Sequence, residues 1–126
     1  MDGYLDDSGS PRLVIHVAGA TASLAALIDT GFDGELLTYV GPLDAIGVRP
    51  VYNDVASFRL ADGNEATFFV TTLRITWHDT ARDANVHIVP AAAPPGVSAL
   101  IGCRLLRDSR LEIDFPRGTV RVARDA

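Results

Sequence analysis

Apolar and polar residues alternate along much of the chain with the period of two that is typical of β-strands. In the stretch RLVIHV, Leu13, Ile15 and Val17 fall on one face, and Val14 and His16 fall on the other. Further strands are predicted for ASLAALI, ELLTYV, ANVHIV, RLEIDF and TVRVA. The pattern therefore predicts a mostly β domain.

Turn residues separate these strands. The clearest hairpin is SFRLADGNEATFFVTTLRITWH, in which two strand-like runs flank residues 61–64, because Asp-Gly is typical of tight turns. HDTARD is predicted to be a polar turn, and PAAAPPGVS a loop, since proline cannot continue a hydrogen-bonded ladder. GPLDAIG and CRLLRD are predicted to be short helices. The sequence thus favours a closed or half-closed β-barrel with one or two short helices.

Length and composition limit the function classes. A chain of 126 residues fits one domain with a core that needs no metal or disulfide. Its net charge of −5 argues against a nucleic-acid surface, which needs clustered Lys and Arg. No apolar run approaches the ~20 residues that span a bilayer, and the acidic start lacks a signal-peptide pattern. A cytoplasmic protein without membrane contact is expected.

No metal or cofactor is expected either. Cys103 is the only cysteine, so the chain has neither a disulfide framework nor a cysteine metal cage. His16, His78 and His87 lack the spacing of metal ligands and are predicted to be surface or hydrogen-bonded residues.

The most unusual feature is an acidic turn that directly follows an apolar strand, in ALIDTGFDGELL. An aspartate at the edge of a core is costly unless it is paired. A calcium loop is excluded because its third position would be Gly31 and its twelfth Val40. A phosphoryl-aspartate site would need a phosphate-binding loop that the chain lacks. Two interpretations stay open: an Asx turn that caps a loop, and a hydrolytic carboxylate that needs a second carboxylate nearby.

A second motif favours the hydrolytic interpretation. The segments LIDTG at 27–31, ALIG at 99–102 followed by CRLL, and LEIDFPRGTVRV at 111–122 resemble the retropepsin-like (clan AA) aspartic proteases. The order of elements matches over roughly residues 12–123. DTGFDGELL is most similar to the prokaryotic single-domain branch. The resemblance implies a retropepsin-like acid protease barrel that hydrolyses peptide bonds.

The resemblance also implies roles for individual residues. Asp29 would be the catalytic carboxylate, Thr30 would bond to its symmetry mate, and Gly31 and Gly102 would allow close backbone approach. Phe32 and Ile101 are expected at the substrate pocket. The hairpin would be a flap over the site, with its tip formed by Ala61, Asp62, Gly63 and Asn64. Asp33 and Glu35 are predicted to be solvated loop carboxylates.

One Asp-Thr-Gly per chain implies a homodimer, because the chemistry needs two carboxylates on one water. We expect Asp29 from each of two chains to meet at a two-fold axis. Residues 1–11 are interpreted as an N-terminal segment that, with the final strand, could form an interface sheet. Residues 12–126 are then a single protease domain acting on a peptide or protein.

Two residues depart from the family pattern. Phe32 stands where many relatives have Ala, so its ring could reshape the pocket beside Asp29, and Arg104 stands where many have Asp. These departures keep two alternatives open: a non-catalytic peptide-binding or dimerisation domain with this fold, and a monomeric barrel in which Asp29 only caps a turn.

Overall fold

The computed structural model describes residues 1–51, 54–59 and 63–124, and over these residues the chain is mostly β. The strands and helices are β1 (Asp2–Leu5), β2 (Pro11–Ile15), β3 (Leu24–Ile28), β4 (Leu36–Tyr39), α1 (Val40–Ala45), β5 (Asp54–Arg59), β6 (Glu65–Trp77), β7 (Thr80–Val89), β8 (Ala99–Ile101), α2 (Cys103–Leu106), β9 (Ser109–Asp114) and β10 (Thr119–Arg124). The predicted strands and both short helices are confirmed.

One predicted turn is shorter than expected. The segment HDTARD was predicted as a turn, but β7 already begins at Thr80. His78 and Asp79 alone form the turn, with φ angles of 50° and 60°. Both residues thus adopt the left-handed conformation that two-residue hairpin loops favour.

The described strands form one sheet in the order β5-β6-β7-β4-β8-β3-β2-β1-β10-β9. Its pairs are antiparallel except β3 with β8 and β4 with β7. Beyond β2 the chain bends and Val17 bridges to Ile75 of β6. The Thr76 N–H also donates to the His16 carbonyl at 3.0 Å. The sheet therefore curls back on itself as a half-closed barrel.

The core lies on the inner face of this curled sheet. Leu13 and Ile15 are each 1% exposed, whereas Val14 between them is 40% exposed, which confirms the alternation of β2. Trp77, at the end of β6, is fully buried. Helix α1 has only six residues. No described helix is long and apolar enough to cross a membrane.

The N-terminal strand pairs within its own chain. β1 lies between β2 and β10, and β10 in turn lies between β1 and β9. The loop after β1 is fixed by Arg12, whose Nε lies 2.6 Å from Asp6 Oδ2. The hydrogen bond from Arg12 lowers the pKa of Asp6 below its usual value. The strands at the edges of the described sheet are β5 and β9.

Candidate active site

The Asp-Thr-Gly turn lies where two distant parts of the chain meet. The N–H of Asp29, directly after β3, donates to the carbonyl of Ile101 in β8 at 2.9 Å. The N–H of Phe32 then donates back to the Asp29 carbonyl at 3.1 Å. The parallel pairing of β3 with β8 thus places Asp29 beside Gly102, as the two sequence motifs indicated.

The side chain of Asp29 is held by one backbone group. Its Oδ1 accepts the Gly31 N–H at 2.9 Å, and no other hydrogen bond to this carboxylate is present among the described residues. Asp29 is half-buried, and Thr30 and Gly31 are exposed. A Cβ at Gly31 would lie 3.2 Å from Asp29 Oδ1, so glycine leaves room for this turn. The carboxylate is oriented yet retains an oxygen that can bind a further group.

Gly102 is a close-approach residue. A Cβ at this position would lie 2.6 Å from Phe32 Cδ2 and 2.8 Å from the Phe32 carbonyl oxygen, and it would overlap the Gly34 carbonyl oxygen. Backbone N–H groups at the start of α2 donate to carbonyls of the loop: Gly102 to Glu35 at 2.9 Å, Cys103 to Phe32 at 2.8 Å and Arg104 to Gly34 at 3.2 Å. The start of α2 therefore fixes the loop that follows Asp29.

The Phe32 ring packs against this glycine-lined backbone. Its atoms lie within contact distance of both Gly34 and Gly102. Its ring is perpendicular to that of His87, with centroids 5.9 Å apart. Phe32 also walls a cavity of about 200 Å³ together with Asp33, Leu37, Phe68 and His87. The departure from alanine thus adds one wall of an apolar cavity between the Asp29 loop and β6.

A half-buried apolar row crosses the sheet on the face opposite the core. Residues that are direct neighbours on successive strands form it: Leu27, Leu100, Leu37, His87 and Val70. The first four are flanked by buried residues along their own strands, and Val70 is followed by the buried Thr71. The row runs from the strand that carries Asp29 to the strand of the hairpin.

Ile101, expected at the substrate pocket, is 0% exposed and belongs to the core. Its neighbour Leu100 lies on the apolar row instead. The sequence predicts a surface or hydrogen-bonded position for His87 rather than a catalytic one, and the structure places this residue in the lining of the cavity beside Phe32. The sequence contained one signal for these positions: LAALI and ALI are apolar at every position, so both faces of these strands are apolar.

The two loop carboxylates after Asp29 differ. Asp33 is exposed, as predicted. The prediction for Glu35 is wrong, because this residue is only 8% exposed and pairs with Arg82. Burial is possible here because Arg82 supplies an opposite charge.

The predicted flap hairpin is present as the pair β5 and β6, in register from Asp54 with Val70 to Arg59 with Glu65. At the expected tip, Gly63 has a φ of 87° and Asn64 is exposed. Ala61 and Asp62 lie outside the described residues. The stem of the hairpin approaches the loop after Asp29 through Phe68, which lines the same cavity as Phe32 and Asp33. The Phe68 ring centroid is also 6.1 Å from that of His87 in β7.

The remaining histidines and the Cys103 thiol have no contact with Asp29 among the described residues. His16 is exposed, and His78 Nε2 lies 2.7 Å from Ser109 Oγ. Burial lowers the pKa of His78. Cys103 is exposed at the start of α2. Among residues 1–51, 54–59 and 63–124, no three His, Cys, Asp or Glu side chains gather as metal ligands.

Comparison with known proteins identifies the fold. No protein-family model and no curated protein sequence matches the chain. Among solved structures, a retropepsin-like aspartic protease from Rickettsia conorii is similar, with a TM-score of 0.69 and 14% identity over 97% of this chain and 88% of that one. EIAV protease in complex with an inhibitor is similar over 82% of this chain and 90% of that one, with a TM-score of 0.62 and 14% identity. The chain therefore has the retropepsin-like fold, which confirms the sequence-based resemblance.

Proposed function

We propose that the protein is an aspartic endopeptidase whose active site forms between two copies of the chain. The observation that carries this proposal is the Asp29 carboxylate, which is oriented by the Gly31 N–H in an exposed Asp-Thr-Gly turn at the junction of β3 and β8. The similarity of the fold to two proteases supports the same interpretation.

The proposed chemistry uses two Asp29 carboxylates that share one proton. Two adjacent carboxylates cannot both ionise easily, so one is charged and the other protonated. The charged group removes a proton from a water molecule that attacks the peptide carbonyl. The protonated group then protonates the departing amide nitrogen. Such a pair titrates as a unit, and we expect activity to be favoured below neutral pH.

The proposed active site requires a dimer. Each chain supplies one Asp-Thr-Gly, so a two-fold axis next to Asp29 would place the second carboxylate. Thr30 is exposed in the protomer, where its hydroxyl is accessible to the counterpart in a second chain. A single protomer would hold half of an active site.

The substrate would lie along the apolar row as an extended peptide. Leu27, Leu37 and Leu100 offer half-buried apolar surface next to Asp29. The β5–β6 hairpin could bind the main chain of that peptide from the opposite side, as sheet edges do in other peptide complexes. We therefore expect cleavage beside apolar residues.

The direct test is digestion of an unbiased peptide library between pH 4 and 7, comparing wild type with Asp29→Asn. We expect the cleavage rate to fall about 10²- to 10⁴-fold in the variant, because the acid–base group is lost. Asp83→Asn is the matched control, since its carboxylate is exposed on β7 and forms an ion pair with the exposed Arg74. Undiminished cleavage by Asp29→Asn would refute the proposal.

Light scattering tests the dimer, and a strict monomer at high concentration would contradict the shared site.

A second candidate is a peptide-binding domain without catalysis. The Phe32 ring favours it, because this ring walls an apolar cavity next to the Asp29 loop. This candidate predicts that library peptides bind without being cleaved and that Asp29→Asn leaves their affinity unchanged. The same library therefore separates the two functions.

A further inference from the structure

The carboxylate of Glu35 is buried at the end of the loop that begins with Asp29. Its Oε2 lies 2.5 Å from Arg82 Nη2, and its Oε1 accepts the N–H of Asn85 at 2.7 Å. Both partners belong to β7, so this side chain ties the loop to a strand that does not neighbour β3 in the sheet.

The backbone of Glu35 makes a second connection. Its carbonyl accepts the Gly102 N–H at 2.9 Å, one of the bonds by which the start of α2 fixes the loop. Glu35 thus links β7, through its side chain, to the segment of Gly102, through its backbone. The loop between these bonds and Asp29 contains Phe32, whose N–H donates to the Asp29 carbonyl.

Stability alone does not explain a charged pair at this place. The Glu35 side chain is 10% exposed and that of Arg82 is 34% exposed, so the carboxylate loses most of its contact with water and the guanidinium loses only part of it. The cost of this burial offsets much of the attraction between the two charges, so the net stabilisation by such a pair is small. What the charged pair adds is direction, because each carboxylate oxygen accepts one bond from a fixed donor.

We propose that Glu35 is a positioning residue of the active site, which holds the Asp29 loop in register with β7 and α2 through Arg82 and the Asn85 N–H. The expected effect on kcat rests on the proposed protease function. The expected effect on the loop can be measured by amide exchange whether or not the protein cleaves peptides.

Amide hydrogen exchange tests the fixed loop. In Glu35→Gln, we expect the N–H groups of Phe32, Cys103 and Arg104 to exchange about 10- to 100-fold faster, because a hydrogen bond to a charged group is lost. Amides of β10, which neighbours neither β3 nor β4 nor β8 in the sheet, should be unchanged. Asp83→Asn is again the matched control. It removes a carboxylate from the ion pair between Arg74 of β6 and Asp83 of β7, whose side chains are 57% and 65% exposed.

Kinetics test the functional consequence. A displaced Asp29 loop lowers the fraction of correctly aligned carboxylate pairs, so we expect kcat to fall about 10²-fold in Glu35→Gln while KM changes less than kcat. Arg82→Lys retains the charge but loses the planar geometry of the guanidinium, and should give intermediate exchange and kcat. This milder variant provides the measurement if Glu35→Gln does not fold.

The outcomes separate the two proposals. Faster exchange limited to the loop, together with a lower kcat, supports the positioning role. Loop amides that exchange as in wild type overturn it, and so does a uniform increase over all strands, which would make Glu35 a general stability residue. A wild-type protein that cleaves no peptide refutes the protease function, while the exchange data still decide whether Glu35 fixes the loop.

Discussion

The two halves of β6 lie in different surroundings, although they belong to one continuous strand. Residues 65–70 pair with β5 in the hairpin, and their side chains are exposed or half-buried. Phe69 and Val70 already pair with β7 as well, and β7 continues as the partner of residues 71–77, which include Ile75 and Trp77 with 1% and 0% exposure. The first half therefore has accessible surface, while the second half is anchored in the core.

The boundary between the halves is at Thr71. This residue is 2% exposed, and its Oγ1 donates to the Val51 carbonyl at 2.6 Å. Val51 lies shortly before β5, so the bond joins both strands of the hairpin at its base. The structure thus separates a hairpin, which faces the cavity beside Phe32, from an anchor inside the barrel.

The largest effect on stability is expected from the anchored half. Ile75→Ala truncates a side chain that is 1% exposed, and should lower the free energy of unfolding by about 3 kcal/mol. Urea denaturation followed by circular dichroism measures this loss. A loss below about 1 kcal/mol would mean that the two halves are less different than their burial indicates.

An intermediate effect is expected at the boundary. Thr71→Val keeps the shape of the side chain but leaves the Val51 carbonyl without its donor, and should lower the free energy of unfolding by about 1 kcal/mol. Amides of β5 should also exchange faster. Thr71→Ser retains the hydroxyl and serves as the control, with slow exchange in β5. Equal behaviour of the two variants would show that the hydroxyl does not hold the hairpin.

The smallest effect is expected in the hairpin itself. Val55 of β5 is 54% exposed and lies opposite Phe69. Val55→Thr retains the β-branched shape that suits a strand and should change the free energy of unfolding by no more than about 0.5 kcal/mol. The same denaturation experiment measures it. A large loss would indicate that this face of the hairpin packs against another surface, such as a second chain.

Strand positions could be predicted from the sequence because burial of one face leaves a period of two, as in Leu13, Val14 and Ile15. The same rule fails where both faces are apolar. Ile101 and Leu100 are equally apolar. Only the pairing of β8 with β3 and β4 decides that Ile101 lies in the core and Leu100 on the apolar row. The pattern of alternation contains no information on that choice.

The surroundings of Glu35 could not be predicted for a different reason. A carboxylate directly after a loop glycine is typically solvated, and only the fold brings Arg82 to it from β7. By contrast, the junction of Asp29 with Gly102 was predictable, because both motifs combine an apolar strand with a glycine in a known family order. Local motifs thus predicted the centre of the candidate site, and long-range pairing determines the contacts that support it.

The position of β8 between β3 and β4 has a consequence for synthesis of the chain. Asp29 is synthesised about 70 residues before its backbone partner in β8, and the entropy of closing so long a loop must be overcome before the contact forms. A nascent chain that ends before residue 99 contains the Asp-Thr-Gly turn without the strand that supports it. Whatever chemistry Asp29 performs therefore depends on a strand that the ribosome adds much later than the turn itself.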